Sequence, residues 1–224
     1  MRGSAFTRYV ALGDSRNGGP PDAAVGAARS GAGWAARLAA ILEGDARLAG
    51  RDFHFTDLAA HARGIEDLVV SQTPAAVRLG PDLVSVMAGG DDLIEGKADP
   101  DALASRLEGA VRELRSHGAT VLLANVFDPQ FAFFLTPLRG RAAVFNANIW
   151  TIARQHEAIV LDVWGVREFR DAGMWAPDRI HLSARGHTLL AVTAAHALGL
   201  RYAEVAASAG IDRARRTVVA LRPG

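Results

Sequence analysis

Two short stretches at opposite ends of the chain carry residue types able to do nucleophilic chemistry. Near the start, the apolar run RYVAL stops at Gly13-Asp14-Ser15 and passes into a loop beginning Arg16-Asn17-Gly18-Gly19. Near the end stands Ala176-Pro177-Asp178-Arg179-Ile180-His181, just ahead of a helical pattern. Asp178 and His181 are three residues apart, so a single turn can set the carboxylate against one imidazole nitrogen. The other nitrogen is then free to take a proton from a serine hydroxyl. Each stretch alone is also ordinary turn chemistry. What they mean together depends on the elements that position them.

Five aliphatic runs read as strands: RYVAL (8–12), FHFTDL (53–58), LVSVMAG (83–89), TVLLANV (120–126) and AIVLDV (158–163). Several are almost continuously apolar, as parallel strands covered on both faces must be. Helical patterns lie between them. WAARLAAILEG (34–44) gathers Trp34, Leu38, Ile41 and Leu42 on one face and is expected to stop at Gly44. PDALASRLEGAVRELRSHG (100–118), RAAVFNANIWTIARQH (141–156) and SARGHTLLAVTAAHALG (183–199) complete the set, the last with Ser183 as its N-cap. Strand alternating with helix predicts one three-layer α/β/α sandwich around a five-stranded parallel sheet. Ligands of such sheets sit at the C-terminal ends of the strands, which is where Ser15 falls.

The expected domain spans 1–200. Within it, DPQFAFFLTPLRG (128–140), with two prolines and three phenylalanines, reads as a lid over the sheet's C-terminal edge, and FAFFL there offers an apolar wall or ordinary core. The tail, 201–224, carries five arginines against two acids. It reads either as a solvated terminal element or as a docking segment for a partner protein or a second copy.

The composition excludes several classes. With 50% apolar and 22% charged residues, the chain is expected to fold as a globular protein around a large core. No apolar stretch reaches the roughly 18 residues of a membrane span. The first residues run directly into a strand, which leaves no room for a signal peptide, so the expected location is cytoplasmic. The absence of cysteine excludes thiolate catalysis and Cys-ligated zinc. A net charge of +1 offers no general attraction to nucleic acid. GAGWAA (31–36) has the glycine spacing of a dinucleotide loop but follows no strand. Phosphate-loop lysine, H-E-x-x-H and G-x-S-x-G motifs are missing, as is any metal-ligand spacing. His117 sits where a helix C-terminus favours it. A small-molecule substrate is therefore expected, with no cofactor, metal, nucleic acid or membrane.

YVALGDS, LVSVMAGGDDL and LDVWGVREFRDAGMWAPDRIHLSARGH, in that order, resemble the conserved blocks of the SGNH-hydrolase superfamily, the GDSL-type esterases and lipases. The resemblance covers most of the chain. It implies a flavodoxin-like sheet and a serine hydrolase. By the same resemblance Ser15 is the nucleophile, His181 its general base and Asp178 the residue that orients the base. Asp14 belongs to the same block as the nucleophile, and Gly64, in HARGIEDL, matches the glycine whose amide joins the oxyanion hole.

The chain departs from the family at one chemically loaded position. The third block normally reads Gly-x-Asn-Asp, its asparagine donating to the oxyanion, whereas here it reads Gly89-Gly90-Asp91-Asp92. An ionised Asp91 only accepts hydrogen bonds and would repel a developing oxyanion. Arg16 also stands where the family has other residues, and with Arg139 and Arg141 could hold an anionic substrate group. Two functional readings follow. One is ester or acyl hydrolysis through Ser15, His181 and Asp178. The other is a repurposed enzyme or co-catalytic subunit in specialised metabolism. It would carry out a non-hydrolytic step, intramolecular cyclisation or group transfer, with Asp91 as base or cation holder. If Asp91 has no chemical duty, it is expected to serve as a helix N-cap.

Overall fold

A computed structural model of the chain describes residues 6–14, 33–59, 64–95 and 99–200. Ser15, Arg16, the first two residues of GAGWAA and the arginine-rich tail lie outside the described residues.

Five parallel strands form one sheet in the order β2-β1-β3-β4-β5. They are β1 Arg8–Gly13, β2 His54–Asp57, β3 Leu83–Met87, β4 Thr120–Ala124 and β5 Ile159–Leu161. The near-continuous apolar runs are explained by burial on both faces. Tyr9, Ala11, Met87 and Leu122 enter one core, while Val10, Leu12, Val84, Val86, Val121 and Leu123 enter the other. Helices α1 (Trp34–Leu48) and α7 (Ala184–Ala197) pack together over the first face. The second is covered by α2 (Gly64–Asp67), α3 (Thr73–Leu79), α5 (Pro100–Ser116) and α6 (Arg139–Gln155). The short helix α4 (Gly90–Ile94) directly follows β3.

Side-chain caps start two of the long helices, one at the expected Ser183 and one at Asp99. Ser183 caps α7 by accepting from the Gly186 amide at 3.2 Å, and Asp99 caps α5 by accepting from Asp101 and Ala102 at 3.0 Å. Gly44 does not end α1. The helix runs another turn to bury Ala46 and reverses at Gly50, whose φ of +67° is the left-handed conformation a stop requires. The helical run from Gly64 to Leu79 was not legible in the sequence, and its middle, Leu68–Gln72, is a π-helical turn. Pro74 supplies the cause. It lacks an N–H and its ring crowds the carbonyl four residues earlier, so the preceding turn widens. Both the amide and the hydroxyl of Thr73 then donate to the Leu68 carbonyl. No helix among the described residues is long and apolar enough to cross a membrane.

Candidate active site

Sheet order brings the sequence blocks to one edge. β1 and β3 are neighbours with Gly13 opposite Met87, so Gly13-Asp14 and Gly89-Gly90-Asp91-Asp92 leave the sheet side by side. The Asp14 amide donates to the Met87 carbonyl at 3.0 Å, extending the ladder by one residue, and the Asp14 side chain is buried.

The Asp178–His181 turn is built as a closed loop. Trp175 and Leu182 form an antiparallel bridge, and the Ala176 amide donates to the His181 carbonyl at 2.8 Å. Arg179, at φ +57°, takes the left-handed conformation at the tip, a cost of order 1 kcal/mol that the closing bonds offset. One oxygen of Asp178 accepts from the Ile180 and His181 amides at 2.9 and 3.0 Å. The other lies 2.7 Å from His181 Nδ1. Partial burial pushes the Asp178 carboxyl up, but the His181 hydrogen bond, the two amides and the His181 charge outweigh it and hold its pKa at about 2. The carboxylate therefore stays ionised and accepts only, which places a proton on His181 Nδ1 and leaves the lone pair of the neutral ring on Nε2. Beneath the loop, Trp175 stacks on Phe131, meets Phe127 and Phe169 edge-on, and donates from Nε1 to the Phe169 carbonyl at 2.7 Å.

Gly64 begins α2 at φ +81°, which only glycine adopts freely, and its amide precedes every intrahelical bond. The Asp92 carboxylate accepts from the next amide, Ile65, at 3.2 Å, and a Cβ on Gly64 would lie 2.6 Å from Asp92 Oδ1. The third block thus clamps the glycine that the family resemblance singles out. Burial raises the Asp92 pKa against the pull of the Ile65 amide, and Asp91 and Glu95 raise it further. The cap of α4 is Gly89, at φ +96°, and Asp91 sits within the first turn. Asp91 is therefore not the N-cap that the sequence allowed it to be.

Between these pieces lies a small, open, largely apolar pocket, lined among others by Gly90, Leu93, Phe127, Phe131, Leu135 and Ile180. Gly90 neighbours Asp91 and Ile180 neighbours His181, so the third block and the Asp178–His181 turn border one cavity. The lid segment supplies much of its wall as two 3-10 turns, Pro129–Phe131 and Phe133–Leu138, with Phe133 left 94% exposed. Arg139 is committed elsewhere: it donates to buried Asp128 at 2.9 Å and lies 5.5 Å over the Trp164 ring. Arg141 reaches toward the Leu93 carbonyl at 3.5 Å. Arg16, the third of the arginines suggested for an anionic group, lies outside the described residues.

Sequence reasoning missed three buried polar side chains that hold this edge. Gln72 binds Gly13, Asn146 binds the amide and carbonyl of Val126 at 2.9 Å each, and His187 Nδ1 accepts from the Trp34 amide at 3.2 Å. Each is a polar residue on an otherwise apolar helix face, the one signal that could have marked them. Among the described residues no group of three or more His, Asp or Glu side chains is arranged to hold a metal.

A family model described as the GDSL-like lipase/acylhydrolase family matches residues 11–189. Among solved structures, the acetylxylan esterase Axe2 from Geobacillus stearothermophilus aligns with a TM-score of 0.71 at 20% identity, covering 90% of this chain and 100% of that one. LAE5, an alpha/beta hydrolase enzyme from the metagenome of Lake Arreo, Spain, gives 0.70 at 22% identity over 86% and 95% of the two chains. TesA gives 0.65 at 23% identity over 86% and 98%. At these identities the likeness is one of fold. No curated protein matches the chain.

Proposed function

The chain belongs to the GDSL-like lipase/acylhydrolase family, and on that premise we propose that it hydrolyses an ester through Ser15, His181 and Asp178. The observation that carries this reading is the 2.7 Å contact between Asp178 Oδ2 and His181 Nδ1, which leaves Nε2 as the free base. In the proposed reaction Nε2 takes the Ser15 proton as Oγ attacks the ester carbonyl. The charge that develops on the carbonyl oxygen is met by the Ser15 and Gly64 amides, each worth about 3 kcal/mol in comparable sites. Collapse of the tetrahedral intermediate expels the alcohol, which takes the proton back from His181, and leaves an acyl-enzyme. Water, deprotonated by the same nitrogen, then releases the acid.

The apolar pocket beside Ile180 and Gly90 supports an ester with a hydrocarbon portion. The test is hydrolysis of a short nitrophenyl ester across neutral pH by wild type and Ser15→Ala. Loss of turnover in the variant is expected, and full turnover by Ser15→Ala overturns the triad. A non-hydrolytic reaction with Asp91 as base or cation holder is the second reading. It rests on the carboxylate standing in the first turn of α4, where the family has an amide.

A further inference from the structure

The end of β1 is held by a side chain that the sequence places 59 residues away. Gln72 is 4% exposed and binds both main-chain groups of Gly13: the Gly13 amide donates to Gln72 Oε1 at 2.9 Å, and Gln72 Nε2 donates to the Gly13 carbonyl at 3.1 Å. Nε2 also donates to Asp67 Oδ2 at 3.1 Å. A carboxylate accepts only, so Asp67 fixes which end of the amide is NH2 and leaves Oε1 facing the Gly13 N–H. Gly13 is at φ +147°, outside the strand conformation open to other residues, and has no side chain of its own to hold it. The π turn that carries Gln72 is the kind of helical irregularity found where a side chain must be aimed.

We infer that Gln72 is a positioning residue for the nucleophile: by pairing with both main-chain groups of Gly13 it fixes the direction in which β1 delivers Ser15. Ser15 follows Gly13 by two residues, a reach of about 7 Å at most, and the residue between them, Asp14, is itself tied to the Met87 carbonyl, so the orientation of Gly13 bears directly on where the chain continues. The inference rests on the proposed role of Ser15. Misplacing a reacting atom by about 1 Å costs roughly a hundredfold in rate. Loss of the Gln72 clamp therefore acts on kcat and leaves the pocket that sets KM in place.

The experiment compares wild type, Gln72→Met, Gln72→Glu and Ser15→Ala on nitrophenyl acetate, with Ser15 labelling by a fluorophosphonate probe and a melting curve for each. Gln72→Met keeps the volume and removes every hydrogen bond. Gln72→Glu keeps the acceptor for the Gly13 amide but loses the donor when ionised. The Asp67 carboxylate on the same helical run faces that position; Asp14 follows Gly13 along the chain, and Arg106 of α5 is paired with Glu66. The Asp67 carboxylate disfavours ionisation of an introduced glutamate, whose neutral form regains a donor for the Gly13 carbonyl. The expected result is a roughly ten- to hundredfold fall in kcat and labelling rate for both Gln72 variants, with KM within about twofold. The ratio of wild-type to Gln72→Glu kcat should narrow as pH falls from 8 to 5.5, a behaviour Gln72→Met will not share. Folded Gln72 variants with wild-type kcat, alongside an inactive Ser15→Ala, overturn this inference alone. A Ser15→Ala that turns over, or a wild type with neither turnover nor labelling, overturns the reading beneath it.

Discussion

Asp178 Oδ2 and His181 Nδ1 stand 2.7 Å apart in a turn whose own amides are bound by the other oxygen of the same carboxylate. One side chain therefore shapes the loop and sets the imidazole tautomer, and that double duty governs what a substitution there will do. In Asp178→Asn the Ile180 and His181 amides select the carbonyl oxygen of the new side chain, turning its NH2 toward Nδ1. Nδ1 must then accept, the proton moves to Nε2, and the base is lost. A fall in kcat of roughly 10³–10⁴ is expected from steady-state kinetics, with the melting temperature nearly unchanged. Because folding depresses the Asp178 pKa to about 2 from 3.8, its contribution to stability is present above pH 3.8 and disappears only as pH falls through about 2.

Gly64→Ala should lose both stability and activity. Its φ of +81° is strained for alanine, and the new Cβ would press on Asp92 at 2.6 Å, disturbing the carboxylate that holds the Ile65 amide. A loss of about 1–3 kcal/mol in urea unfolding is expected, with kcat reduced at least about tenfold. Gly50→Ala, at φ +67° with nothing within 4 Å, isolates the backbone cost and should leave kcat alone.

Asp91→Asn restores the amide that the family places in the third block. If the carboxylate opposes the oxyanion, kcat on a short nitrophenyl ester should rise by roughly tenfold or more, with little change in KM. A fall in turnover would sink hydrolysis as the native reaction and favour Asp91 as a base or cation holder.

His187 predicts an acid-sensitive fold. Its side chain is 2% exposed. Burial above all, then the charges of Arg37 and His181, hold its pKa at about 4 against an ordinary 6.5. Nδ1 must remain unprotonated to accept from Trp34 at the start of α1. The unfolded chain thus binds the proton first. Stability is full above pH 6.5 and falls by about 3 kcal/mol as pH drops to about 4. Urea midpoints across that range should show the slope, and His187→Asn, whose side-chain oxygen can still accept from Trp34, should flatten it.

The parts of this protein legible in its sequence are those that depend on near neighbours along the chain. Short aliphatic or aromatic runs marked all five strands, although only β1, β3 and β4 are buried almost throughout and β2 is not. Caps such as Ser183 announced their helices, and the spacing of Asp178 and His181, three residues, was enough to predict their contact. Block order then identified the family. The run 64–79 escaped because its proline and its short apolar stretches match no single period. What only the tertiary structure decided are contacts across long separations: Gln72 with Gly13 over 59 residues, Ile65 with Asp92 over 27, Trp34 with His187 over 153. Spacing within one element follows from the geometry of a turn or strand, whereas these pairs exist only once strand order and register bring separate helices to one edge of the sheet.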